Sequence, residues 1–312
     1  MPDQTGRIIL VTGANAGIGY VSLGPLLRRG ATVLGLCRNR KKSEEAFGNL
    51  QKELGDDNRG SLKLIECDLA DLHSIKLAVE QIKQLVDRVD VLFASAGVHE
   101  VRTKTKQGHE AHFGVNVLGH YYLITLLEDH LVQSVQRSPR GTTRVVITSS
   151  SAYFLNTPVA LQGNWNPSDS ALDEKFSLDE LYARSKVGNL HLTRKLSQLW
   201  RSRGIIVCSV HPGNFGTSDQ RDSATGLLER LVFKLLLWPP EYSAINQLFA
   251  GMAQRTDTEE QLADKLHDAH IVPWARFGTV YEQWLREDMV EKTWKWCSDS
   301  INKDGMEARQ IS

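Results

Sequence analysis

The sequence predicts an α/β protein built on a single doubly wound parallel sheet with helices on both faces. Three features predict it: six short apolar runs, helical spacing between them, and a glycine-rich turn directly after the first run. The runs fall at residues 7–12, 31–36, 61–67, 90–94, 144–149 and 205–210 and are rich in Val, Ile and Leu. Nearly continuous apolarity suits strands buried on both faces. Regular strand–helix alternation needs crossover connections, and these make neighbouring strands parallel.

Taken in order, residues 18–29 form the first predicted helix. A second clear helix covers 72–88, where Leu72, Ile75, Val79, Ile82, Leu85 and Val86 recur at three- and four-residue steps. Ser177 and Glu180 are spaced as a capping box and open a helix at residue 178. Residues 151–177 read as a long connection, and long structured connections are usually functional. Residues 214–240 hold an amphipathic stretch, Leu227 to Trp238, ended by Pro239-Pro240. These two segments are the expected substrate-pocket wall and lid. The last 40 or so residues are expected to form a helical extension with Trp284, Trp294 and Trp296 as packing anchors.

The chain has 312 residues, with 37 Lys+Arg against 37 Asp+Glu, a formal net charge of +0 and 41% hydrophobic residues. This composition suits one globular domain spanning 1–312. A neutral chain lacks the field of a nucleic-acid binder, so a small molecule is the expected partner and no nucleic acid is. No transmembrane segment, leader or N-terminal anchor is predicted, and the expected location is cytoplasmic. Cys37, Cys67, Cys208 and Cys297 form no CxxC pair and read as reduced, buried thiols. His109-Glu110-Ala111-His112 lacks the i, i+4 histidines of a zinc-protease helix. No metal is expected, and these histidines read as surface or capping residues.

Thr12-Gly13-Ala14-Asn15-Ala16-Gly17-Ile18-Gly19 joins the first strand to the first helix. A dinucleotide pyrophosphate sits best on unpaired backbone N–H groups at a helix N-terminus, and glycines let it approach. The turn therefore marks a Rossmann-type nucleotide site. Cys37 stands where NAD-binding folds carry an acid, and Arg38 follows, with Arg40, Lys41 and Lys42 beyond. A guanidinium suits a 2′-phosphate, so NADP(H) is the expected cofactor. The other reading of the run is a solvated basic helix start.

Tyr182 and Lys186 are four residues apart, which puts both on one helix face. A phenol titrates near 10 and needs a nearby positive charge to exchange protons at neutral pH. Among the seven tyrosines only Tyr182 has a lysine at this spacing. Val146-Ile147-Thr148-Ser149-Ser150 ends a strand at the carboxyl edge, where open α/β sheets bind ligands.

The Gly-x-x-x-Gly-x-Gly spacing, the Tyr-x-x-x-Lys pair and the serines after the fifth strand resemble the short-chain dehydrogenase/reductase family over roughly residues 7–217. Asp68-Leu69, Phe113-Gly114-Val115-Asn116 and His211-Pro212-Gly213 are most similar to its retinol-dehydrogenase-like group and fungal relatives. The resemblance implies a catalytic set of Ser150, Tyr182, Lys186 and Asn116. Ser150 orients the substrate oxygen, with Ser149 and Ser151 beside it as neighbouring hydroxyls. Tyr182 exchanges the proton, Lys186 lowers its pKa and holds the nicotinamide ribose, and Asn116 holds a relay water or is a buried helix asparagine. It also implies cofactor contacts from Gly13, Asn15, Gly17, Ile18, Gly19, Arg38, Asp68, Leu69, Ser95, Ala96, Gly97, Tyr182, Lys186, Pro212, Gly213, Phe215 and Thr217. Asp68 would meet the adenine, or else serve as a turn residue, and Thr217 the carboxamide. Two departures stand out. The family's Asn-Asn-Ala-Gly is Ala94-Ser95-Ala96-Gly97 here, which questions local stability more than chemistry. The gap from Ser150 to Tyr182 is also long. The implied activity interconverts an alcohol and a ketone or aldehyde. The apolar 227–238 stretch and Trp165 suggest a bulky lipophilic substrate, in secondary metabolism. The competing reading is a catalytically idle NADP(H)-binding sensor or scaffold. Homo-oligomers are compatible with either.

Overall fold

The strands β1 (Ile8–Thr12), β2 (Thr32–Cys37), β3 (Ser61–Glu66), β4 (Val91–Ala94), β5 (Arg144–Thr148) and β6 (Ile206–Val210) lie within a residue or so of the six apolar runs. In the computed structural model, which describes residues 1–156, 165, 176–214, 238–253, 259–307 and 311, they join β7 (His270–Val272) and β8 (Arg276–Gly278) in one sheet. The order is β3-β2-β1-β4-β5-β6-β7-β8, parallel throughout except for the β7–β8 pair. The chain thus reverses direction across the sheet between β1 and β4, the place where doubly wound sheets open a ligand crevice.

Side chains alternate between the two faces, as the two-residue period of a strand requires. Ile9 and Val11 of β1, with Val91 and Phe93 of β4, pack on one side. That side is covered by α1 (Gly17–Arg28), α2 (Arg40–Leu54), α8 (Ala244–Met252) and α9 (Glu259–Leu266). Leu10, Leu92, Ala94, Val145 and Ile147 pack on the other. There the cover is α3 (Leu72–Leu85), α4 (His120–Leu126), α7 (Leu178–Trp200) and α10 (Glu287–Lys303), with α5 (Glu128–Arg137) beyond α4. Both faces are therefore buried, as the continuous apolar runs required. Arg144, buried in β5, donates to the carbonyls of Ala250 at 2.9 Å and Ala253 at 2.8 Å and so closes the end of α8.

Three expectations need correction. β7 and β8 were not anticipated; each is three residues long, too short for an alternating pattern, and each exists through pairing with its neighbour. The connection after Ser150 begins with a helix, α6 (Ala152–Asn156). His112 is not a surface residue but fully buried, while Glu110 does the capping and accepts from the backbone N–H groups of His112 and Phe113. The remainder of 151–177 apart from 165, 176 and 177, and the amphipathic 227–237 stretch, lie outside the described residues. The capping box at Ser177 and Glu180 is present. All four cysteines are free and buried. Trp284 is buried, and Trp294 and Trp296, both on α10, pack against the core, as expected of anchors. No helix of the described residues is long and apolar enough to cross a membrane.

Candidate active site

The carboxyl ends of the parallel strands share one edge, and the described sequence-predicted site residues follow them, Arg38 after β2 and Asp68 after β3 among them. After β1, Gly13 and Gly17 adopt φ of +67° and +53°, which side-chain-bearing residues avoid. A Cβ on Gly19 would lie 2.4 Å from the Gly13 carbonyl oxygen, so only glycine lets α1 start this close to the turn. A Cβ on Gly17 would meet nothing within 4 Å, and the residue before α1, Ala16, offers its first amides no side-chain cap. An uncapped helix N-terminus beside open space fits a pyrophosphate. Asn15 and Ile18 lie in this same turn.

The second strand ends at Cys37, with Arg38 next to it at the carboxyl end. Cys37 is buried beneath the turn; burial pushes its thiol up, opposed by hydrogen bonds with Ser43 and the backbone of Ala14 and Asn15. Arg38 is exposed just beyond it and forms no ion pair among the described residues, whereas Arg40 is paired with Glu44 and Glu66. Asp68 uses Oδ1 to accept from Ala70 N at 2.9 Å, so it is at least a turn residue; Leu69 turns its side chain into the core.

The missing asparagines after β4 are replaced by other partners. Thr12 Oγ1 accepts from both Ser95 N and Ala96 N at 2.9 Å. Ser95 Oγ donates to Gln247 Oε1 at 2.5 Å, and Gln247 Nε2 donates onward to Ser22 of α1 at 2.9 Å. Gly97 is held to the same tightness: a Cβ there would sit 3.2 Å from Asn116 Oδ1 and 3.5 Å from Lys186 Nζ.

Tyr182 and Lys186 share the inward face of α7, with Nζ 5.3 Å from the phenol ring centroid. Tyr182 hydrogen-bonds Ser150. Ser149 Oγ instead donates into the helix, to the Lys186 carbonyl at 3.0 Å, and Ser151 N donates to His211 Nδ1 at 3.2 Å. The serine that meets the tyrosine is therefore Ser150. Burial pushes the Tyr182 phenol above its ordinary value, and the Ser150 bond opposes that. Burial also lowers Lys186 to about 8. The expected lowering of the phenol by the lysine is not what governs it in the free protein, because desolvation dominates.

Asn116 lies in a π-helical stretch, Gly114–Gly119, that leads into α4. Such stretches often mark functional sites because they redirect carbonyls and side chains. Its amide accepts from Val98 N at 2.8 Å and donates to Val98 O at 3.2 Å and Ser185 Oγ at 2.9 Å. Its backbone carbonyl accepts from His120 Nδ1 at 3.0 Å, and His120 Nε2 lies 3.0 Å from Thr12 Oγ1. Burial holds His120 at about 4, so the ring is neutral, with its single proton on Nδ1 and Nε2 accepting from Thr12. One buried chain thus ties the nucleotide turn to the tyrosine helix.

Three histidines lie near the reacting groups: His99, which the sequence did not single out, His112, read above as a surface or capping residue, and His211, read only as part of the Pro-Gly segment. His99 lies against the Tyr182 ring, centroids 4.4 Å apart, and reaches Asp179 at 3.2 Å. His112 meets Tyr182 edge-on at 6.4 Å. His211 accepts from Gly213 N at 3.4 Å and shapes the Pro212-Gly213 segment after β6, where Gly213 takes φ of 107°. Phe215 and Thr217 lie outside the described residues. Trp165 is 3% exposed; its indole donates to Thr293 at 2.8 Å and packs against His191 and Phe113, so it is a core anchor rather than a pocket wall. Trp238, Tyr242 and Trp274 are exposed and meet one another edge to face, and Trp238 N donates to Asn214 O at 3.1 Å.

His120, His191, His211 and His270 are all lowered from 6.5 to about 4, burial being the main cause in each. Between those values the unfolded chain binds more protons than the folded one. Stability is therefore expected to fall as pH drops from 6.5 to about 4. Urea titrations across that range check this; a midpoint indifferent to pH contradicts it.

A family model described as short chain dehydrogenase matches residues 7–162. A short-chain dehydrogenase/reductase of Armillaria gallica is 32% identical over 306 residues, covering 96% of this chain and 93% of that relative. Retinol dehydrogenase 14 of Mus musculus is 36% identical over 241 residues, covering 75% and 68%. Among solved structures, an uncharacterized protein from Mycobacterium paratuberculosis has a TM-score of 0.69 at 25% identity, covering 98% of this chain and 96% of that one. An NADPH-bound carbonyl reductase from chicken fatty liver has a TM-score of 0.61 at 19% identity, covering 90% and 100%, a likeness of fold.

Proposed function

This chain belongs to the short-chain dehydrogenase/reductase family, and from that premise we propose that it is an NADP(H)-dependent oxidoreductase interconverting a lipophilic carbonyl and its alcohol. The observation that carries the reading is the convergence of Tyr182, Ser150 and Lys186 at one edge of the sheet. When bound, the nicotinamide supplies or takes the hydride. Ser150 Oγ–H holds the substrate oxygen, and Tyr182 O–H gives that oxygen its proton as the C=O π bond opens and the new C–H bond forms. Lys186 keeps positive charge under the phenol while its proton is restored, and Asn116 fixes the Val98 and Ser185 positions around it.

Gly13, Gly17 and Gly19 with the start of α1 would hold the pyrophosphate, together with Asn15 and Ile18. Ser95, Ala96 and Gly97 would line the adenosine ribose, and Asp68 and Leu69 the adenine. Lys186, Pro212 and Gly213 would hold the nicotinamide end. The lipophilic substrate class is supported by the exposed Trp238, Tyr242 and Trp274 rings beside Asn214. A place in secondary metabolism would suit such a substrate. The single domain and cytoplasmic location expected above belong to the same reading.

NADP(H) preference rests on Arg38, exposed and free of ion pairs among the described residues. Arg38→Glu is expected to weaken NADPH binding by about 10- to 100-fold, the loss of a charge-assisted phosphate contact, while leaving NADH binding equal or better. Fluorescence titration with both nucleotides checks this. An unchanged NADPH-to-NADH ratio would remove the preference from Arg38.

A further inference from the structure

Asn246 and Gln247 are neighbours on α8, 1% and 0% exposed, and both use their side-chain amides on segments of the candidate cofactor site. Asn246 Nδ2 donates to the His211 carbonyl at 2.7 Å, and its Oδ1 accepts at 2.8 Å from Ala275 N, in the turn between β7 and β8. Gln247 Oε1 accepts from Ser95 Oγ at 2.5 Å, and its Nε2 donates to Ser22 Oγ at 2.9 Å. Ser22 Oγ donates in turn to the Ile18 carbonyl at 2.8 Å, in the first turn of α1. Successive residues of a helix point about 100° apart. One amide therefore reaches the segment after β6, and the other reaches the segment after β4 and the start of α1. The helix that carries them is closely seated. It packs against β4, β5 and β6, and a Cβ on Gly251 would lie 2.4 Å from the Phe93 ring.

We propose that Asn246 and Gln247 are positioning residues that set the two ends of the cofactor site from one helix, Asn246 the nicotinamide end and Gln247 the adenosine end. The inference rests on the reading of this edge as a dinucleotide site. The segment after β6 is weakly held by its own backbone. Pro212 has no N–H to give, Gly213 takes φ of 107°, and Gly213 N reaches His211 Nδ1 only at 3.4 Å. The His211 carbonyl is the last backbone group before Pro212, so its bond to Asn246 sets the direction in which Pro212 and Gly213 leave the sheet. On the other side, Ser95 N and Ala96 N are already given to Thr12 Oγ1. Gln247 adds the Ser95 side chain and α1 to the same frame, so the groups that would flank the ribose and the pyrophosphate share one amide. Each residue acts through the segment it bonds rather than on the nucleotide itself.

The test compares two nucleotides by calorimetric titration: NADPH, and 2′-phospho-ADP-ribose, which carries the adenosine end and the pyrophosphate but no nicotinamide. Asn246→Leu should weaken NADPH about tenfold and leave the fragment unchanged, since the buried His211 carbonyl loses its donor at the nicotinamide end alone. Gln247→Leu should weaken both nucleotides equally, by about tenfold. Asn246→Ala and Gln247→Ala remove the amides without filling the space; they should give the same pattern, and they replace the leucine variants if those do not fold. The second readout is reduction of a carbonyl. Saturating NADPH should restore kcat in Gln247→Leu, whereas in Asn246→Leu kcat should stay about tenfold down, because the nicotinamide is bound but misplaced. A general loss of structure would weaken both nucleotides in both variants. That result, or NADPH binding unchanged in either variant, would overturn the proposal. The unaltered protein separates this from the cofactor reading itself: if it binds neither nucleotide, that reading fails and takes the proposal with it.

Discussion

Tyr182→Phe is expected to lower turnover by about 10²- to 10⁴-fold, the range for losing a positioned general acid, while NADPH binding persists. The ring itself stays: His99 lies 4.4 Å from it and His112 6.4 Å, and neither contact involves the hydroxyl. What disappears is the O–H that bonds Ser150 and stands above Lys186. Ser150 would still hold the substrate oxygen, but with no proton to give it at the moment of hydride transfer. Single-turnover kinetics with prebound NADPH separate the two effects. Turnover near that of the unaltered protein would contradict the assignment.

Gly19→Ala carries the second large effect. The new Cβ would lie 2.4 Å from the Gly13 carbonyl oxygen, 2.8 Å from its carbon and 3.1 Å from the Thr12 carbonyl oxygen. These are backbone atoms of the turn, which cannot swing aside as a side chain would, so α1 has to back away from it. A cost of about 1–3 kcal/mol in stability is expected, as for other overpacked sites. NADPH affinity should fall at least about tenfold, because the amides that would face the pyrophosphate move with the helix. Gly48→Ala on α2 is the control: nothing lies within 4 Å of its Cβ, and alanine gains about 0.5–1 kcal/mol over glycine in a helix interior. Thermal melts and nucleotide titrations of both variants check this. A Gly19→Ala protein that binds NADPH normally would mean that the turn does not hold the cofactor.

The six parallel strands were legible because burial on both faces writes an apolar run into the sequence, and their ends fell within a residue or so of the runs. The helices were readable for the opposite reason: each buries one side against the sheet, as α3 does through Leu72, Ile75, Val79 and Ile82, and so writes a three- and four-residue period. β7 and β8 left no such trace, since three residues cannot establish a period and β7 joins the sheet through the distant β6, where Ser209 pairs with His270. In the site, Tyr182, Lys186, the glycine turn and Arg38 were legible from spacing within a single element. The groups that complete it were not. Gln247 meets Ser95 across 152 positions, a distance over which no local pattern survives. Trp165 was misread for a related reason: an indole in a long connection looks the same in sequence whether it lines a pocket or donates to Thr293 in the core. The choice among Ser149, Ser150 and Ser151 likewise needed coordinates, because adjacent hydroxyls leaving a strand point to different partners.

The central claim is that this site turns over a carbonyl with NADPH rather than merely holding the nucleotide. The most direct test is to mix the purified protein with NADPH and a panel of bulky lipophilic ketones and aldehydes and follow the nicotinamide absorbance. Oxidation of NADPH is expected with at least one member of the panel, with the matching alcohol formed in equal amount. Tight NADPH binding with no oxidation by any carbonyl, and no reduction of NADP by any of the matching alcohols, would contradict it and leave an idle nucleotide-binding protein.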